Sequence, residues 1–407
     1  MTLLDDASTM ADELTRLRRD LHREPEIGLR LPRTQERVLR ELDGLPLEIS
    51  LGDSTTSVTA VLRGTAGAKG ASPAVLLRGD MDALPVQEAS GLPFASRVEG
   101  AMHACGHDLH TTMLVGAARL LAEEQHRLAG DVVLMFQPGE EGWDGAAHMV
   151  REGVLDAAGP RVEAAFGLHV FSALERAGQF RTKPGPMLAA SDGLVVEVHG
   201  AGGHGSAPHL ARDPVTAIAE MVTALQTVVT RQVDIFDPAV VTVGALRAGT
   251  RRNVIPETAS LEATVRTFSE RTRDQLAAAL PRLIEGIAHA HGVEVEVRYE
   301  PEYPVTINDV DETAFAAETI TEVFDEGRGA QMTHPLGGSE DFSRVLDEVP
   351  GTFIGLGAVP DGRDPATAPY NHSPHAVFDD SVLPDGAALL AELATRRLST
   401  ATTRSTS

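Results

Sequence analysis

The densest concentration of reactive side chains in this sequence is the run His103-Ala-Cys105-Gly-His107-Asp108-Leu-His110. In an extended loop, positions two apart face the same way, which lets Cys105 and His107 converge on one ion. Thiolate and imidazole together suit zinc and other borderline first-row metals. A lone cysteine is usually a buried apolar residue, but one with three histidines within five positions is better read as a ligand. A second run, Phe136-Gln-Pro-Gly-Glu140-Glu141-Gly142, leaves an apolar strand with two adjacent carboxylates. Such a pair repels unless a cation or a shared proton joins it. One carboxylate can then ligate a metal while the other acts as general base on a water. A third, Arg78-Gly-Asp80-Met-Asp82-Ala-Leu-Pro85, also ends an apolar strand, with Asp80 and Asp82 expected on one face. His169 closes the apolar run Ala164-Ala-Phe-Gly-Leu168, and His372 lies far downstream in Tyr370-Asn-His372-Ser-Pro374. Singly, each is ordinary. Together they place acids and histidines at the ends of several strands, where one site can collect them.

The elements that must position these groups alternate. Helical spacing is expected over residues 11–24 and 109–126, the latter with Asp108 as its cap. Strands are expected over residues 57–62, 74–77, 131–136 and 164–170, so this part reads as a largely parallel sheet covered by helices. Residues 194–299 read differently, as β-α-β-β-α-β, the order of a ferredoxin-like unit. The α/β pattern then resumes, with a helix near 312–324, a strand at 352–356 and a last helix near 384–397. The expected architecture is an α/β domain in two parts, residues 1–189 and 301–407, with an α+β domain inserted at 190–300. The Ser/Thr-rich tail, 399–407, is expected to fray.

Composition narrows the function. With 59 acidic against 35 basic residues in 407, the formal charge is −24. That repels phosphate backbones and anionic lipid, arguing against nucleic acid and membrane partners. One cysteine allows no internal disulfide and suits a reducing cytoplasm. Asp5 and Asp6 stand where a signal peptide would be basic, and no apolar run spans a bilayer, so a cytoplasmic enzyme is expected.

These motifs resemble those of the amidohydrolase branch of the aminoacylase and glutamate-carboxypeptidase metallopeptidase superfamily, which includes hippurate hydrolases and auxin–amino acid conjugate hydrolases. The likeness extends over Leu21 to Gly28, the three runs above, Gly202-Gly-His204-Gly-Ser-Ala-Pro-His209, Arg252-Asn253-Val-Ile-Pro256, Gly338-Ser-Glu-Asp-Phe342 and His372-Ser-Pro374, in the family's order. It implies a metallopeptidase-type mixed sheet flanked by helices, the inserted domain serving as lid and dimerisation domain. It further implies metal-dependent hydrolysis of the amide bond of small N-acyl amino acids, with two divalent ions per subunit (zinc, manganese, cobalt or nickel) and a homodimer or higher homo-oligomer. Cys105, His107, Glu141, His169 and His372 occupy the metal-ligand positions, Glu140 that of the general acid/base, and Asp82 that of an aspartate orienting a ligand histidine. Asp80 stands where more distant relatives carry a histidine ligand, and is not counted as one. His204 matches a lid histidine that polarises the scissile carbonyl. Asn253 lies in a substrate-holding stretch, and Arg251 or Arg252 is placed to bind the substrate carboxylate.

Two other readings use the same residues. One is a cysteine hydrolase in which Cys105 attacks, assisted by a nearby histidine. The other is a metal-binding scaffold without activity. The first explains neither the acidic pair nor His372, and the second leaves Glu140 without a purpose.

Overall fold

The computed structural model describes residues 2–66 and 72–404. Contacts divide the chain into two compact units: Met1–Met187 with Ile307–His334 and Asp341–Ser407, and Leu188–Thr306 with Pro335–Glu340.

In the first unit, eight strands among the described residues form one mixed sheet. Its order is Leu47–Leu51, Val58–Leu62, Asp131–Gln137, Ala74–Asp80, Ala164–Arg176, Gly351–Val359, Phe180–Thr182 and Gly329–Gln331. The central neighbours run parallel. Their Val/Leu/Phe-rich sequences have no polar face because both sides are covered, and Ala74–Asp80, Asp131–Gln137 and Gly351–Val359 are buried throughout. Helix His107–Glu123 is buried nearly all round, packing against that sheet, Leu383–Arg404 and Ala11–Arg23. It is therefore a core element rather than an amphipathic surface helix. The expected Asp108 cap is absent: the helix starts at His107 from Gly106, whose φ of 86° is left-handed, and Asp108 is turned into the core. Helices Leu3–Thr9 and Pro32–Leu42 and strand Leu47–Leu51 were not expected. The last helix runs on to Arg404, into the tail expected to fray; residues 405–407 lie outside those described.

The second unit is an antiparallel sheet ordered Ala239–Ala248, Thr258–Thr267, Ala190–His199, Glu294–Tyr303, with helices Pro214–Gln232 and Glu270–His291 packed on it. The inner strands alternate buried and less buried residues, the signature of a sheet with one face on a core. Numbered along the chain, the strands lie in the order 2-3-1-4, as a ferredoxin-like β-α-β-β-α-β requires. Residues Pro335–Glu340 return to this unit, where Ala189 donates to the carbonyls of Leu336 and Gly338, and Arg266 to Ser339 Oγ at 2.9 Å. No apolar periodicity marks that return. Among the described residues, no helix is long and apolar enough to cross a membrane.

Candidate metal centre

The donors named from the sequence meet at one end of the first unit's sheet. Cys105, His107 and His169 each bring a donor atom within 4.8 Å of the others; Cys105, Glu141 and His372 do the same, as do His107, Glu140 and Glu141. A fourth set, Asp80 with His107 and His110, shares His107.

Local backbone makes this convergence. The segment from Cys105 to His107 is not the extended loop expected. Gly106 takes a left-handed turn between the last loop residue and the first helical one, so Cys105 and His107 converge by a kink. Glu140 and Glu141 leave strand Asp131–Gln137 through Pro138 and the left-handed Gly139, at φ 70°. Asp82 receives both their backbone N–H groups, Glu140's at 2.9 Å and Glu141's at 3.1 Å, and its Oδ1 lies 3.4 Å from His107 Nδ1. His169 donates Nδ1–H to the Val170 carbonyl at 2.8 Å, which leaves Nε2 as its donor atom, 3.4 Å from Cys105 Sγ. His372 has a left-handed φ of 71°, and its N–H bonds to Ala104 O, binding this distant segment to the Cys105 loop.

Asp80 and Asp82 do not act as a pair. Asp80 binds Arg78 at 2.6 Å and His110 at 2.6 Å, so its oxygens are engaged inside the protein.

The electrostatics call for a cation. Both ring nitrogens of His107 and Oε1 of Glu141 are buried without a hydrogen-bond partner, although His372 Nε2 stands 3.1 Å from that oxygen. Burial alone would lower the His107 pKa, but Asp80 and Cys105 hold it well above the usual range. Cys105 and Glu141 beside it push His372 up to about 10. Burial raises Glu141, yet His372 and His107 bring it below the ordinary value. Positive charge is thus favoured on His107 and His372 and negative charge on Glu141. Ions of charge two that accept soft S and N donors fit the same atoms better.

Two residues hold the site's segments together without having been assigned that part from sequence. Asn371 donates to the carbonyls of Cys105 (3.2 Å) and Val170 (3.0 Å) and accepts from Ser172 N–H (2.9 Å), joining three segments. Asp108 lies 2.8 Å from both His22 Nδ1 and Arg18 Nε, anchoring the helix start. The signal for Asn371 was its place beside His372; for Asp108 it was misread as a cap.

In the second unit, His204 sits on the short strand Gly203–His204, paired with Val254–Ile255, and Gly205 donates to Asn253 O at 2.9 Å. His204 is exposed, as are Asn253, Arg251 and Arg252. The backbone N–H of Ser206 points at His204 Nδ1 (3.2 Å), so that nitrogen accepts and Nε2 carries the proton.

Parallel strands ending in clustered thiolate, imidazole and paired carboxylates define a metal-dependent amidohydrolase or peptidase. The chain belongs to peptidase family M20/M25/M40, whose profile matches residues 76–396. It is 35% identical over 396 residues to Thermostable carboxypeptidase 2 of Saccharolobus solfataricus, covering 96% of this chain and 97% of that one. It is 35% identical over 400 residues to hippurate hydrolase of Campylobacter jejuni, covering 98% and 100%. Among solved structures, YXEP of Bacillus subtilis, described as a dinuclear metal binding peptidase from the M20 family, superposes with a TM-score of 0.80 at 32% identity, covering 97% and 99%.

Proposed function

We propose that this chain hydrolyses the amide bond of small N-acyl amino acids or closely related conjugates, in the cytoplasm, as a homodimer. The observation that carries this reading is Glu140. It is buried, within 4.8 Å of donor atoms of His107 and Glu141, and held by its backbone to Asp82, yet Glu141 is the better-placed ligand of the two. A carboxylate beside a metal centre but outside its ligand set is what a general base requires.

Cys105, His107, Glu141, His169 and His372 would hold two divalent ions, zinc, manganese, cobalt or nickel. Cys105 and Glu141 each belong to two of the donor sets, and His107 to three. When bound, the ions would supply Lewis acidity and a water of lowered pKa. Glu140 would take a proton from an attacking water as its oxygen adds to the amide carbon, and return it to the leaving nitrogen as the C–N bond breaks. Asp82 keeps His107 and the acidic pair in place. The second unit would act as lid and dimer contact: His204 would present Nε2–H to the developing oxyanion, Asn253 would help hold the substrate, and Arg251 or Arg252 would bind its carboxylate.

The test is a screen of acetyl-, benzoyl- and indole-acetyl-amino acids against the metal-free chain with each of the four metals restored. Turnover of at least one class is expected only with metal. Glu140→Gln should keep its metal content and lose at least ~10² in turnover. Cleavage of dipeptides alone, or a fully active Glu140→Gln, would overturn the reading.

A further inference from the structure

The sheet opens beside the metal centre. Strands Ala74–Asp80 and Ala164–Arg176 pair in parallel from Val75/Ala164 to Arg78/Gly167. Beyond that point, among the described residues, no ladder pairing joins Gly79 and Asp80 to Leu168, His169 and Val170. His110 enters this opening from helix His107–Glu123. The backbone N–H of Val170, which can only donate, lies 2.8 Å from His110 Nε2. Nε2 therefore accepts, and Nδ1 carries the proton that bonds Asp80 Oδ1 at 2.6 Å. A neutral imidazole has one donor and one acceptor, and both are used here. No lone pair is left on this ring for an ion, which explains why the third histidine of the Cys105 run is not a ligand.

The chain of contacts continues. Arg78 donates to Asp80, to Gln137 Oε1 at 2.9 Å and to Asp341 at 3.2 Å, while Gln137 donates to Asp341 at 2.7 Å. Arg78, Asp80, His110, Gln137 and Asp341 are all buried, and Arg78, Asp80 and Gln137 lie at the ends of the strands that lead to Asp82 and to Glu140 with Glu141. Burying an ion costs several kcal/mol before pairing, so a buried charged chain is poor value as a stabiliser and better suited to setting geometry. The His110 ring lies 4.6 Å from that of His169 and 5.3 Å from that of His107, measured between centroids.

We propose that His110, in its neutral Nδ1–H tautomer, is a positioning residue that replaces the missing ladder bond and sets the distance of His169 from Cys105 and His107. This rests on the reading of His169 as a metal ligand. Long-range ¹⁵N-edited NMR of the metal-free full-length chain tests it first: His110 should show a protonated Nδ1 and a bare Nε2. A protonated Nε2, alone or in an imidazolium, overturns it. Competition of zinc against a chelator tests the consequence. His110→Phe should keep the fold by circular dichroism and lose 10–100-fold in affinity for one of two zinc ions, with kcat reduced and KM unchanged. His110→Gln, whose amide oxygen can accept from Val170, should recover part of both. Wild-type zinc affinity in His110→Phe, or a His110→Gln no better than it, overturns the proposal; if neither variant folds, the NMR result decides alone. A wild-type chain that binds two zinc ions but cleaves no amide overturns only the function proposed above. One that binds no zinc overturns both.

Discussion

Cys105 has more than one partner, and this separates the competing chemistries. His169 Nε2 at 3.4 Å would serve a nucleophilic thiol as well as a metal thiolate. The second donor set adds the Glu141 carboxylate, which a metal would use as a ligand and a nucleophilic thiol would not need. Cys105→Ala is therefore expected to lose or weaken bound metal, because a soft anionic ligand is gone. Metal content is read directly by elemental analysis. A variant with full metal and no activity would instead identify Cys105 as the nucleophile. At this scale the sequence was informative wherever a residue acts through its own side-chain chemistry: Cys105, His107, Glu140, Glu141, His169 and His372 all converge. It was silent on the contacts of His110 and Asn371, which are made with backbone groups, such as Val170 N–H, that no residue type advertises.

At the level of elements, Gly106 is the position on which the centre's geometry turns. Its φ of 86° suits glycine, and an added Cβ would lie 2.4 Å from Val170 Cγ2 and 3.1 Å from the Phe378 ring. A left-handed alanine costs about 1–2 kcal/mol and overpacking a similar amount, so Gly106→Ala is expected to cost about 2–4 kcal/mol. Urea unfolding of the metal-free protein measures this as a lower midpoint at unchanged slope. An unchanged midpoint would show that the loop tolerates another path. The buried strands and long helices were legible because apolar runs and helical spacing are strong local signals. Helix Pro32–Leu42 and strand Leu47–Leu51 were not, since Pro32–Leu42 is mostly polar or charged and four of the five residues of Leu47–Leu51 are exposed. The helix start at His107 was misplaced because Asp108 is a good cap by type, while Arg18 and His22 draw it inward.

For the whole molecule, the question is what the second unit does. Its edge strand Ala239–Ala248 exposes Val240 and Leu246, and the loop before it exposes Ile235 and Phe236, 81% and 89% accessible. Such a surface is suited to a second copy of the chain. His204→Ala is expected to lose ~10²–10³ in turnover with metal intact, as for removal of an oxyanion donor. Mixing it with Glu140→Gln should restore part of the activity once subunits exchange, because hybrid dimers then contain one site with both residues. No recovery despite demonstrated exchange would assign His204 to its own chain's site. The scatter of the donors has a wider consequence. Cys105, Glu141, His169 and His372 come from segments far apart in the chain and meet only in the native fold. An unfolded chain offers no such set, so each bound ion would act as a removable cross-link whose binding energy is folding energy. Metal supply would then govern how much of the protein persists in a cell as well as how fast each molecule works, and starvation for metal would be seen first as lost protein.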